Sequence, residues 1–268
     1  MPAGVFDNAP FERYLRRLFV SGGRTNDFRK LKRRLFIVAT NLNTGEAALF
    51  GESGLDHVPI SRAIQASTAL PGLYSPVEID GETYADGALL RTMHASVVLE
   101  AGSDLLFGIN PLVPFDASDS GSRQRKIDLT DYGLPVVLGQ TLRSLVQSRM
   151  LVGMASYKDR YPRSEIVLLE PDRADRRMFF ANMFRYSGRK HLVDHAYQST
   201  RRDLLKRADE LAPLLARHRL RLLPEVLRDP ARSFDAALQQ QRDSDRRVVK
   251  ELSSTLDRLE DLLAGARR

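Results

Sequence analysis

Between residues 35 and 109 the chain repeatedly sets a short apolar run of strand length beside a turn signal, whereas beyond about residue 200 it carries helical spacing alone. Leu35-Phe-Ile-Val-Ala-Thr40 reads as a buried strand, Asn41 to Gly45 as a turn, and Glu46-Ala-Ala-Leu-Phe50 as a returning strand, which together predict a hairpin. Val77-Glu-Ile-Asp-Gly81 and Glu82-Thr-Tyr-Ala85 predict a second hairpin around Asp80-Gly81, a pair suited to the positive φ angles of a two-residue turn. A helix over Ala95 to Ala101 then leads into an apolar strand, Asp104-Leu-Leu-Phe-Gly-Ile109, closed by Pro111. Helix feeding strand in this way implies an α/β layer built on a largely parallel sheet.

The remaining segments fill in around that layer. Phe11, Tyr14, Leu15 and Leu18 share one face of a helix that Ser21-Gly22-Gly23 ends. Arg62 to Ala69 predicts a short helix that Ser61 would cap through its hydroxyl and Leu70-Pro71-Gly72 would stop. Residues 114 to 131 are polar and charged, as in a surface loop or lid. Pro135 to Tyr157 predicts a long helix, Ile166-Val-Leu-Leu-Glu170 a strand, and Phe179 to Phe184 the start of another helical region. Val249, Leu252, Leu256, Leu259 and Leu263 form a short heptad seam. Packing back on its own domain and joining a second copy both suit that seam. The division expected is a domain over residues 1–200 followed by a helical extension over 201–268.

Composition removes several classes of function. The 268 residues are 43% hydrophobic and 28% charged, the proportions of a soluble globular protein. With no cysteine, disulfide scaffolds, thiol nucleophiles and thiolate zinc sites are excluded. No uninterrupted apolar run is long enough to span a bilayer, and MPAGVFDNAP does not read as a signal peptide. A cytoplasmic location is expected, with association to a membrane surface open to it. The net charge of +7 favours anionic partners. Its densest part is Arg16, Arg17, Arg29, Lys30, Lys32, Arg33 and Arg34, with Arg123, Arg125 and Lys126 beyond the polar loop. Solvated charge or an anionic lipid surface accounts for these better than nucleic acid does, because no recognition module and few aromatics surround them.

Ala66-Ser-Thr-Ala-Leu-Pro-Gly-Leu-Tyr-Ser-Pro-Val77 is followed by Ile79-Asp-Gly-Glu-Thr-Tyr-Ala-Asp86-Gly87-Ala88. With Phe36 to Glu46 before it, and Glu100 to Asp104 and Phe107 to Asn110 after it, this ordered set resembles the C-terminal portion of the patatin-like phospholipases. The resemblance extends over about residues 7–205. It implies a partial three-layer α/β domain and hydrolysis of lipid acyl esters by a Ser–Asp dyad, without cofactor or metal. Asp86 is then the candidate proton acceptor, within the signature Asp86, Gly87, Ala88. Phospholipid or another acyl ester is the implied substrate.

The nucleophile of that family sits in a Gly-x-Ser-x-Gly elbow, and no such string occurs among these residues. Gly51-Glu-Ser53-Gly54 has the wrong spacing and reads as a turn; Ser21-Gly22-Gly23 follows a helix and does not suit an oxyanion loop. The chain is therefore expected to begin after the oxyanion loop and the elbow, and to be inactive alone. A truncated product, one half of a split enzyme and a pseudoenzyme kept for binding all agree with that. A non-enzymatic interaction protein, including a peripheral membrane binder, is the alternative. The expected loss of central strands would also leave the strand at Phe36 with an unpaired edge. His191 and His195 lie four apart but lack a third ligand and the Glu of a zinc helix. His57 and His94 are expected to be structural.

Overall fold

The computed structural model describes residues 3–118, 128–181 and 188–241. These fall into two compact units, one within Met1–Pro114 and Asp128–Leu168, the other within Phe115–Ile127 and Leu169–Arg268. The heptad seam and the basic residues Arg123, Arg125 and Lys126 lie outside the described residues.

The first unit is built on a four-stranded sheet of order β3-β2-β6-β5: β2 (Ile37–Asn41), β3 (Ala47–Phe50), β5 (Val77–Ile79) and β6 (Glu82–Asp86). All three of its pairings are antiparallel, within a mixed α/β architecture that agrees with the fold class expected. A parallel pairing joins β1 (Gly4–Phe6) to β4 (Gly72–Tyr74). For β2–β3 and β5–β6 the cause is local. Both predicted hairpins form, and a connection of a few residues can join only antiparallel neighbours. In the first, Asn41 Oδ1 accepts the N–H groups of Asn43 and Thr44, and Gly45 supplies a φ of 74°. In the second, Asp80 and Gly81 have φ angles of 53° and 81°, the pattern of a type I′ turn. The strand near Phe36 is not left with an open edge: β2 is central, paired with β3 on one side and β6 on the other.

Two helices pack with this sheet, α1 (Ala9–Phe19) against α2 (Ile60–Ser67) and α2 against β2 and β6. Ala63 and Ala66 of α2 and Ala39 of β2 are fully buried, and such small side chains let helix and sheet approach closely. Phe50 fills the space beside them, its ring edge-on to Tyr84 with centroids 5.3 Å apart. Ser61 does not cap α2, because Pro59 holds the capping position. The cap is supplied from elsewhere: Asn26 Oδ1 accepts the Ser61 N–H at 2.8 Å, and the Ser61 hydroxyl donates to Glu12 Oε1 at 2.9 Å. Asn8 and Gln65, both buried, exchange hydrogen bonds between the start of α1 and the body of α2.

The same unit contains α3 (Ala95–Glu100), β7 (Leu105–Ile109), the long α4 (Leu134–Arg160) and β8 (Glu165–Leu169), which pairs with β7. Tyr157 of α4 is buried against Ala95 and Leu99 of α3, and its hydroxyl donates to the Met93 carbonyl. The second unit holds α5 (Arg176–Phe179), α6 (Arg189–Lys206), α7 (Ala208–Arg217) and α8 (Pro224–Arg228). Buried Arg201 of α6 ties it together. Its guanidinium donates to the carbonyls of Val226, Leu227 and Asp229, acceptors at the end of α8 that have no intrahelical donor, and to that of Arg232 in the loop beyond.

Candidate functional site

Asp86 is the last residue of β6, where the sheet ends and the backbone turns into a short 3-10 segment, Gly87–Leu89. Three contacts fix its main chain. It stands opposite Ala39 of β2, its N–H donates to the Ala69 carbonyl at 3.0 Å, and its carbonyl accepts the Thr40 hydroxyl at 3.0 Å. The side chain is fixed at one oxygen only: Oδ1 accepts the Ala88 N–H at 2.8 Å. Among the described residues no other hydrogen bond reaches this carboxylate, so its second oxygen is available to a proton donor.

Gly87 is required by the closeness of β2. A Cβ there would lie 2.5 Å from the Val38 carbonyl oxygen. Gly87 is also buried beneath His94, whose Nε2 donates to the Gly87 carbonyl at 3.1 Å. Burial raises the Asp86 carboxyl above its ordinary range, with the Ala88 N–H and the nearby His94 working in the opposite direction. Burial likewise holds His94 below the usual histidine value, against the effect of the Gly87 carbonyl. A half-buried carboxylate with a raised pKa and one free oxygen has the properties of a general base. His94 beside the signature was not assignable from sequence. Its only signal was its distance of eight residues from Asp86, which suggests nothing until the turn is folded.

Immediately after the signature, Leu90 to Met93 border a cleft of about 250 Å³ whose other wall is α4, including Met150, Gly153 and Tyr157. Arg149 of α4 ties this wall to the signature by donating to the carbonyls of Leu89 and Leu90. Other residues singled out in the sequence lie in ordinary structural settings. Ser53 is exposed in a turn, and Gly22 and Gly23 take positive φ where α1 ends. His57 pairs with Asp80 at 2.8 Å on the exposed hairpin turn. His195 faces Asp175 at 2.6 Å, and His191 is exposed. Among the described residues, no three metal-ligating side chains cluster. No helix there is long and apolar enough to cross a membrane.

Comparison with known proteins agrees with the resemblance and alters its extent. The family model "Patatin-like phospholipase" matches residues 1–99, a stretch that holds the whole four-stranded sheet and Asp86 but stops well short of residue 205. Uncharacterised NTE family proteins of Mycobacterium bovis and Mycobacterium tuberculosis are 33% identical over 73 residues, 27% of this chain and 19% of theirs. An uncharacterised protein of Acanthamoeba polyphaga mimivirus is 27% identical over 117 residues, 43% of this chain and 38% of its own length. The chain thus spans between about a fifth and two fifths of the curated relatives it matches. Over residues 1–99 the chain is therefore similar to the patatin-like phospholipases.

Proposed function

We propose that this chain supplies the proton-accepting half of a lipid acyl-ester hydrolase, with Asp86 as the base of a Ser–Asp dyad whose serine is contributed by a further segment or another polypeptide. The observation that carries this reading is the Asp86 turn itself. One carboxylate oxygen is locked by the Ala88 N–H, the other bonds to no described residue, and a side chain at Gly87 would collide with β2 where the turn meets it. A serine hydroxyl needs a base within hydrogen-bond reach to attack an ester, and a carboxylate on a rigid turn meets that need. The methionine-bearing cleft beside Leu90 suits an apolar acyl chain.

The test is hydrolysis of a short-chain nitrophenyl ester. The chain alone should show no turnover above an Asp86→Ala control, and mixing with a polypeptide bearing a patatin-like Gly-x-Ser-x-Gly elbow should create turnover that Asp86→Ala abolishes. Asp86-dependent turnover by the chain alone would refute the division of labour. Failure of every elbow-bearing partner to give Asp86-dependent turnover would refute the catalytic reading.

A second reading, a non-enzymatic interaction protein, is favoured by α4. Leu134, Leu138, Leu142, Leu145 and Val152 all lie exposed along one face of it, while Val146, Met150 and Tyr157 are buried along another. Co-sedimentation with anionic vesicles and measurement of oligomeric state, before and after deletion of residues 249–263, distinguish a membrane from a second copy as the partner.

A further inference from the structure

A cleft of about 630 Å³ lies within the second unit and has no part in the dyad. Small-molecule sites commonly fall in this size range. One wall is α6, which turns His195, Ser199, Arg202 and Lys206 into the cleft. Their spacing of four, three and four residues places all of them on one face of the helix. The facing wall is the loop that follows β8, from Glu170 to Asp175.

The lining carries four carboxylates, Glu170, Asp172, Asp175 and Asp203, against the cations Arg173, Arg202 and Lys206, but each of the four carboxylates has a partner of its own. Asp175 is committed: one oxygen accepts the N–H groups of Arg177 and Met178, and the other holds His195. Asp172 accepts the Ala174 N–H, and Asp203 pairs with Arg207 at 3.2 Å. Glu170 and Arg173 bring opposite charges to the same loop. Arg202, Lys206 and Ser199 stand apart from these arrangements, since none of their side chains bonds to a described residue. Two cations and a hydroxyl therefore point into one concavity without an anion bonded to them, on a helix whose neighbouring His195 ring is fixed in place.

We propose that this cleft binds a phosphate group, with Arg202 and Lys206 as its charge partners and Ser199 as a neutral donor. Charge-assisted bonds from Arg and Lys to phosphate are strong relative to neutral ones, and one helical turn between the two side chains lets both reach a single phosphoryl group. The phosphate belongs either to a soluble ester or to a lipid headgroup, which share this chemistry.

Two measurements on the full chain separate the sources: calorimetric titration with inorganic pyrophosphate at constant ionic strength, and co-sedimentation with phosphatidylcholine vesicles with and without phosphatidic acid. Saturable pyrophosphate binding weakened at least tenfold by Arg202→Ala/Lys206→Ala, and unchanged by Lys32→Ala/Arg33→Ala, supports the site with a soluble ligand. Phosphatidic acid-dependent sedimentation that only the first double substitution removes supports it with a lipid ligand. No binding in either assay, or binding indifferent to Arg202 and Lys206, overturns it. Both residues are exposed on a helix, where alanine is a good helix former, so the variant keeps its fold; far-UV circular dichroism checks this.

Discussion

Replacing Gly87 by alanine measures the close approach that sets the position of Asp86. Gly87 does not occupy the left-handed region, so its backbone conformation would accept alanine. On entropy alone the substitution would stabilise the protein by about 0.4–1 kcal/mol. The new methyl, however, would sit 2.5 Å from the Val38 carbonyl oxygen and 3.1 Å from the Val38 carbonyl carbon. That is roughly 1 Å short of an ordinary contact. β2 cannot easily retreat, because it is hydrogen-bonded to β3 on one side and β6 on the other. The turn must move instead, which strains the Thr40–Asp86 and Asp86–Ala69 hydrogen bonds. Overpacking of about 1–3 kcal/mol and a weakened hydrogen bond of about 1 kcal/mol outweigh the entropic gain, for a net loss of about 1–3.5 kcal/mol. Equilibrium urea unfolding of the full chain should show a lower midpoint at an unchanged m-value. Gly153→Ala is the control: it lies inside α4 with the Tyr157 ring 3.9 Å away, and it should stabilise by about 0.5–1 kcal/mol. A Gly87→Ala protein as stable as the parent, or more so, would refute the reasoning.

Arg201→Met keeps the aliphatic stem but strips the guanidinium bonds from the Val226 and Leu227 carbonyls, and one of two bonds from those of Asp229 and Arg232, so unfolding of the second unit should become easier by about 2–4 kcal/mol; hydrogen exchange over residues 224–232 should rise with it. His94 is held in its neutral form by burial, so its contribution is complete above the ordinary histidine range and is lost as the pH falls through and below it. Stability measured from about pH 7 down to about pH 5 should fall less steeply in His94→Gln than in the parent. Asp86 acts with the opposite sign: its raised pKa makes the parent gain stability as the pH falls through the carboxylate range, a gain that Asp86→Asn should remove in urea titrations at low pH. Asn8→Ala leaves buried Gln65 without its amide partner and should cost about 1–3 kcal/mol in thermal or urea unfolding.

What could be read before folding was whatever neighbouring residues decide among themselves. Asn41 to Gly45 and Asp80-Gly81 bend the chain through their own φ preferences and side-chain hydrogen bonds, so both hairpins and their strands were legible in the sequence. The Asp86-Gly87-Ala88 signature was equally visible, because one carboxylate capping a turn two residues on is a short-range event. Tertiary structure decided everything whose partner is distant in the chain. Nothing local brings the two hairpins together, and β2 and β6, 46 residues apart at the Thr40–Asp86 hydrogen bond, meet antiparallel. Ser61 looked like a cap, but Asn26, 35 residues away, took that work. Gly87 owes its necessity to Val38, and Arg201 to carbonyls 25 or more residues downstream. Burial, and with it the raised pKa of Asp86 and the neutral state of His94, exists only once the chain has closed around them, since desolvation is a property of the surroundings and not of the residue.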